Sequence, residues 1–264
     1  MTDRQPPAMP SKTDLPPRIP LSIIIPTLDE ADQIAEAVGN AMWADEVIVA
    51  DAGSRDATVA LAKAAGATVL ERTGPTIAAQ RNAAIATARN RWIFALDADE
   101  RIDAALAEEL ARLITSPAHE AFAVRRRNYY LGQELTRGHW GRDWVTRLFT
   151  SERRYIERRV HEYLEPISNT GRLVGTLEHH PYRTLTHQLD KMNRYARWGA
   201  EDLYDRGERA GAWNIIGRPG GRFFRAYLLQ GGILDGRAGL VTSMLGAYTA
   251  FLKYAHLWAL EREH

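Results

Sequence analysis

Asp97 and Asp99, in the run Asp97-Ala98-Asp99-Glu100, stand directly after the apolar stretch RWIFALD. Carboxylates at this spacing can converge on one point, because the turn after a strand breaks its alternation. Oxygen ligands of this kind suit a hard divalent cation, Mg²⁺ or Mn²⁺, which completes its shell with substrate phosphates and water. Taken alone, the pair is explained as well by an acidic turn capping a helix that begins near Asp103. A second polar run, Asp51-Ala-Gly-Ser-Arg-Asp56, also follows an apolar stretch. Gly53 permits a tight turn there, and Ser54 or Asp56 can cap a helix. Asp51 would then point out of the strand end toward a nucleobase or ribose, unless the segment is only a capped turn.

Other chemistries are narrowed or excluded. Neither GxGxxG nor GxxxxGK[ST] occurs, which disfavours a dinucleotide-binding Rossmann domain and a P-loop NTPase. With no cysteine in 264 residues there is no thiolate nucleophile, disulfide or sulfur-held metal. Imidazole could ligate Mn²⁺ at His161 or at the His179-His180 pair. A hydrogen-bonding role is expected instead, since adjacent histidines on a strand point to opposite faces.

The elements that must position these residues alternate regularly. LSIIIP, ending at Pro26, then EVIVAD (46–51), ATVLE (67–71) and RWIFALD (91–97) read as strands. Alanine-rich stretches at about 30–42, 56–65 and 76–89 have helical spacing, and the alternation predicts a parallel α/β sheet with right-handed crossovers. In such sheets ligands bind beyond the carboxyl ends of the strands, where Pro26–Glu30, Asp51–Asp56, Glu71–Gly74 and Asp97–Glu100 fall.

The second half differs. AFAVRRRNYYL and DWVTRLFT are predicted strands, RYIERRVHEYLE is ambiguous, and 184–208 is predicted as a long amphipathic helix. GRPGG, Gly217 to Gly221, is predicted to break it from two final helices at about 222–231 and 237–260. There Arg218, Arg222, Arg225, Arg237 and Lys253 alternate with Phe223, Phe224, Tyr227, Tyr248, Phe251, Tyr254 and Trp258. Such a surface suits an anionic membrane interface, or equally a helix seam within the protein or between subunits of a homo-oligomer. The uncharged run between Arg237 and Lys253 is 15 residues, short of the roughly 20 needed to span a bilayer.

Composition agrees with a soluble globular protein, at 45% hydrophobic and 25% charged residues. The net charge of +1 hides an asymmetry: residues 1–120 hold 11 basic and 18 acidic groups, residues 121–264 hold 23 and 15. An acidic first half suits a metal, and a basic second half suits a phosphate or membrane surface rather than nucleic acid. Six of the twelve prolines lie in residues 1–20, which predicts an extended tail without the apolar core of a signal peptide.

PTLDE (26–30), EVIVADAGSRDAT, GPTIAAQRNAAI (74–85) and FALDADERI (94–102) together resemble the nucleotide-sugar-binding half of a family 2 glycosyltransferase of GT-A fold. RLF (147–149), VHE (160–162) and RFFRAYLLQGGILDGRAG (222–239) resemble its lipopolysaccharide-core branch. The resemblance implies a Rossmann-like, mostly parallel GT-A domain over 21–183, with a donor half (21–120) and an acceptor half (121–183), then a helical extension over 184–264. It implies a nucleotide-sugar donor, a UDP-sugar, with Pro26, Thr27, Glu30 and Asp51 at the base and ribose and Arg81 close to the nucleotide. Asp97 would sit near ribose and metal, and Asp99 would be the direct ligand of an Mg²⁺ or Mn²⁺ ion bridging the diphosphate.

The implied reaction inverts the anomeric centre and needs one protein base to deprotonate the acceptor hydroxyl. The acceptor would be a lipid-linked or cell-envelope saccharide, reached from the cytoplasm, at the inner face of the membrane. Glu162 in VHE is the expected base. Asp143, before VTRLF, is the other candidate, flanked by Arg142 and Arg147, whose charges make it the poorer one. A polyprenyl-phosphate acceptor, already anionic, would need no base, and a non-catalytic scaffold is opposed by the intact DADE run.

Overall fold

The computed structural model describes residues 18–263 apart from 139, 142, 157–162 and 183. The proline-rich segment up to residue 17 therefore lies outside the described residues, while the first strand already begins at Ile19.

The predicted alternation is present: β1 (Ile19–Thr27), α1 (Ile34–Ala41), β2 (Ala44–Asp51), α2 (Thr58–Ala64), β3 (Thr68–Leu70), α3 (Ile77–Thr87) and β4 (Trp92–Ala95). These four strands are mutually parallel, in the order β3-β2-β1-β4. Ile23 and Ile25 pack with Ile34 and Val38 of α1. Ile24 packs on the opposite face with Ala78, Ala84 and Ile85 of α3. A sheet covered on both faces needs apolar residues at every position, which is why these strands read as continuous apolar runs.

Beyond β4 the sheet becomes mixed. β5 (Glu100–Ile102) and α4 (Ala104–Leu113) precede β6 (Ala121–Tyr130), β7 (Gln133–Leu135) and β8 (Asp143–Thr150). Two short strands, β9 (Tyr155–Ile156) and β10 (Tyr163–Leu164), pair in a separate ribbon, and β11 (Thr170–His179) returns to the main sheet. The order continues β4-β8-β6-β11-β5, with β7 on β6. β5 was not expected: three residues are too few to show alternation, and its place was assigned to the turn before α4. Asp103 does cap α4, accepting from the Leu106 amide at 2.7 Å.

The C-terminal part contains α5 (Leu185–Asp205), α6 (Arg218–Phe224) and α7 (Gly236–Glu263), with Ala200, Leu203, Tyr254 and Leu257 forming a small core. The predicted break at GRPGG does not occur. Trp213–Gly217 is a π-helical turn that runs into α6, and a second π-helical turn, Arg225–Leu229, follows it. Pro219 falls where the π-helical turn passes into α6. Gly217 makes room for Trp213, since a Cβ there would lie 2.4 Å from the indole. The chain leaves α5 earlier instead, at residues 206–211 with Gly207 at φ 76°, and the predicted gap between the two final helices is present at Gly231 and Gly236, with φ of 78° and 62°.

Candidate active site

The carboxyl ends of β1 and β4 open into a cavity of about 2000 Å³ whose far wall is made by α5, α6 and α7. Pro26, Thr27 and Glu30 line it at the end of β1. Thr27 is 3% exposed, and its buried hydroxyl has no hydrogen-bond partner among the described residues.

Asp51 shows the capped-turn arrangement, one of the two readings of its sequence. It is 1% exposed, and its carboxylate accepts from the Gly53 amide at 2.7 Å, the Ser54 amide at 2.8 Å and the Ser54 hydroxyl. Those bonds build the turn after β2, with Gly53 at φ 105°. The turn in turn holds the loop after β1: Ser54 Oγ accepts from the Asp29 amide, and Asp29 accepts from the Arg55 amide. Asp51 thus shapes the strand-end loops from beneath.

At the end of β4, acidic and basic groups interlock. Arg81 donates to Asp97 at 2.5 Å, and Arg147 donates both to Asp97 and, at 2.6 Å, to the fully buried Glu100. Arg126 links Glu100, at 3.4 Å, to Asp143, at 2.7 Å. Burial would raise the Asp97 pKa, but Arg147, Arg81 and Arg126 outweigh it and hold the carboxyl well below its ordinary value. Both Asp97 oxygens face arginine. It was expected to share a cation, and Arg81 to reach the nucleotide. They pair with each other on the cavity wall, where the Asp97 side chain is 27% exposed, and the Arg81 guanidinium lies 4.7 Å from the Tyr155 ring centroid.

Asp99 has different company. Its Oδ2 lies 3.6 Å from His179 Nε2 and 3.8 Å from Lys191 Nζ of α5. Burial opposes ionisation, and His179 and Lys191 overcome it, so the carboxyl is held far below its usual range. Asp99, His179 and Lys191 all line the cavity. His179 Nδ1 is 2.5 Å from Asn128 Oδ1, and the Asn128 amide nitrogen donates to the Trp140 carbonyl at 2.8 Å. That second bond orients the amide so that its oxygen accepts from His179 Nδ1, and leaves Nε2 turned toward Asp99.

The hydrogen-bonding role expected for His179 is present, in its contacts with Asn128 and Asp99. His180 does point to the other face, where it stacks on Tyr129 at 4.8 Å. A carboxylate oxygen and an imidazole nitrogen suit Mn²⁺ or Mg²⁺. Among the described residues no group of three His, Asp or Glu could hold a metal, so a cation here would complete its shell from substrate and water.

Asp143 begins β8 and lines the cavity, but Arg126 grips it and Asn128 donates to it at 3.3 Å. Its companion is Arg126 rather than the sequence-adjacent Arg147. Glu162 and His161 lie outside the described residues; Tyr163 and Leu164, which follow them, line the cavity.

The C-terminal part also shapes the cavity. Asp235, buried between Gly231 and Gly236, accepts from the Thr136 amide at 3.2 Å, the Thr136 hydroxyl at 2.9 Å and the Arg137 amide at 2.9 Å. The Gly138 amide donates to the Gln230 carbonyl at 2.9 Å. The run 230–236 thereby clamps the loop bearing Arg137 and Gly138 against the cavity.

The model of the family "Glycosyl transferase family 2" matches residues 22–173. The chain is 30% identical over 251 residues to the lipopolysaccharide core biosynthesis glycosyltransferase LpsC of Rhizobium meliloti (strain 1021), spanning 92% of this chain and 93% of that one. It is 27% identical over 251 residues to the uncharacterized glycosyltransferase RP128 of Rickettsia prowazekii (strain Madrid E), spanning 90% and 86%. Among solved structures, glucosyl-3-phosphoglycerate synthase from Mycobacterium tuberculosis, in complex with Mn²⁺, UDP and glucosyl-3-phosphoglycerate, aligns with a TM-score of 0.36 at 21% identity. That alignment covers 42% of this chain and 44% of that one.

Proposed function

The chain belongs to glycosyl transferase family 2, and from that premise we propose a metal-dependent, inverting transfer of sugar from a UDP-sugar to a saccharide hydroxyl. The acceptor in this reading is a lipid-linked or envelope saccharide of the lipopolysaccharide core, a choice supported by the name of the relative LpsC. The observation that carries the reading is the pairing of Asp99 and His179 at a strand end inside a large cavity.

Asp99 and His179 would hold the cation, Mg²⁺ or Mn²⁺, which when bound neutralises the diphosphate so that it leaves without a protein acid. The Thr27 hydroxyl offers the donor a hydrogen bond at the end of β1. Asp97, Arg81 and Arg147 keep the end of β4 rigid, which preserves the position of Asp99. Glu162 takes the proton of the attacking hydroxyl, with Asp143 as the alternative.

No helix among the described residues is long and apolar enough to cross a membrane. We place the protein on the inner face of the cell membrane, supported by the exposed Phe224, Leu228 and Leu229. The test is a screen of nucleoside diphosphates and their sugars with Mn²⁺ or Mg²⁺, read as thermal stabilisation and as metal-dependent donor hydrolysis. A nucleotide that stabilises the native chain only with cation, and loses that effect in Asp99→Asn, is the expected result. Stabilisation independent of metal would sink the proposal.

A further inference from the structure

We infer that the cavity contains a second anion subsite at the end remote from Asp99, built by Arg222 and Lys253 with Arg218 beside them, and that it takes a phosphate group carried by the acceptor. Arg222 of α6 and Lys253 of α7 line the same cavity as Asp99. Both side chains are seated against glycine. A Cβ on Gly199 would lie 3.0 Å from Lys253 Cδ, and one on Gly246 would lie 3.6 Å from Arg222 Nε. Arg218 donates to the Tyr254 hydroxyl at 2.6 Å, and the Lys253 ammonium lies 4.9 Å from the centroid of that ring.

The two ends of the cavity use cations differently. Near the donor end, Arg81, Arg126, Arg147 and Lys191 each face a carboxylate. At the far end Arg206 pairs with Asp202, whereas Arg218, Arg222 and Lys253 have no ion-pair partner among the described residues. Burial, then Arg218 and Arg222, and more weakly Arg206, push the Lys253 pKa down against the pull of Glu208. Like charges gathered on one wall repel one another, and a bound dianion would relieve them. A phosphate monoester fits this set, because its oxygens can accept from an arginine fork and a lysine together. The apolar Phe224, Leu228 and Leu229 follow Arg222 at the surface, 52%, 46% and 71% exposed, so a phosphate held in lipid could reach the same groups.

The inference deepens the transferase reading and rests on it only for what bears the phosphate; the binding needs neither donor nor metal. Inorganic phosphate is titrated into the wild-type chain without nucleotide or cation, against sodium chloride of equal ionic strength, and melting is followed. Phosphate should raise the Tm beyond chloride, and the double variant Arg222→Ala/Lys253→Ala should weaken the apparent affinity at least about tenfold, roughly 1.4 kcal/mol. The charge-preserving Arg222→Lys/Lys253→Arg should keep most of the effect, which separates charge from misfolding.

Vesicles locate the source. Retention on phosphatidic acid above phosphatidylglycerol, lost in the double alanine variant, assigns the phosphate to a lipid; a response to inorganic phosphate alone assigns it to a soluble acceptor. Equal effects of phosphate and chloride on the wild type, or an undiminished phosphate effect in the double alanine variant, would overturn the subsite. Failure of UDP and Mn²⁺ to bind the wild type would strike the transferase reading and leave the subsite standing.

Discussion

His179 Nε2 and Asp99 Oδ2 lie 3.6 Å apart because β11 runs antiparallel to β5 with His179 opposite Glu100. The His180 amide donates to the Asp99 carbonyl at 2.9 Å, extending the pairing by one residue into the acidic turn. Residues eighty positions apart are thus set side by side by backbone hydrogen bonds. Asn128 completes the arrangement from β6, which pairs with the other edge of β11.

This geometry predicts graded losses of cation affinity. Asp99→Asn and His179→Ala should each abolish Mn²⁺-dependent UDP binding. Asn128→Ala, which frees the imidazole to rotate, should weaken it about 10–100-fold. Mn²⁺ paramagnetic resonance titration with UDP present measures all three; unaltered affinity in His179→Ala would remove the imidazole from the site.

Asp97→Asn should behave differently from Asp99→Asn, because it removes the carboxylate that Arg81 and Arg147, each 5% exposed, both engage, and leaves Glu100 as the acid partner of Arg147. The expected destabilisation is about 3 kcal/mol, read by urea melts. Since the folded-state pKa of Asp97 is lowered from 3.8, its contribution is fully present above that pH and is lost as pH falls below it. The variant should therefore show a shallower acid limb than the wild type.

Asp51→Ala should cost stability rather than nucleotide affinity alone. The Gly53 and Ser54 amides lose their acceptor, and because both are partly open to water the cost is about 0.5–1.5 kcal/mol. Ser54→Ala, which also releases the Asp29 amide, should perturb the loop after β1 in the same sense. A normal melting temperature with a raised donor KM in Asp51→Ala would return this carboxylate to the nucleotide.

The donor half was legible because its strands are long, apolar and buried on both faces, so β1, β2 and β4 and the turns after them follow from pattern alone. Asp99 was found in this way, at the end of such a strand. His179 was not: its role depends on a three-residue strand, β5, and on a register between distant strands that no local pattern encodes. Asp51 is ambiguous in sequence because a carboxylate at a strand end serves a ligand or a turn equally well, and its hydrogen bonds show the turn. GRPGG misled because proline and glycine signal a break, whereas Pro219 falls where the π-helical turn passes into α6 and Gly217 lies beneath Trp213.

Asp235→Asn should separate acceptor from donor. The carboxylate holds Thr136 and Arg137 through three hydrogen bonds across about a hundred residues, remote from Asp99. Asparagine keeps one acceptor oxygen and loses the other, so the loop at Arg137 loosens. The acceptor KM should rise several-fold while the donor KM and metal affinity hold, and Asp235→Ala should exaggerate the split. Equal rises in both constants would mean that the clamp supports the whole cavity.

The base is decided by comparing two carboxylates. Asp143 is held by Arg126 through two nitrogens, at 2.8 Å and 2.7 Å, and receives a further bond from Asn128. Taking up a proton during turnover would break bonds that also position Arg126 and Asn128. Because Asn128 orients His179, Asp143→Asn should weaken cation binding along with turnover, and with it the apparent donor affinity. Glu162→Gln should instead lower kcat about 10²–10⁴-fold with UDP and Mn²⁺ binding unchanged, as expected of a group that acts only on the acceptor proton. Steady-state kinetics beside calorimetric UDP titration distinguish the two patterns. If Glu162→Gln kept full kcat while Asp143→Asn lost turnover with cation affinity intact, the base would be Asp143, and Arg126 would have to release it when the acceptor enters.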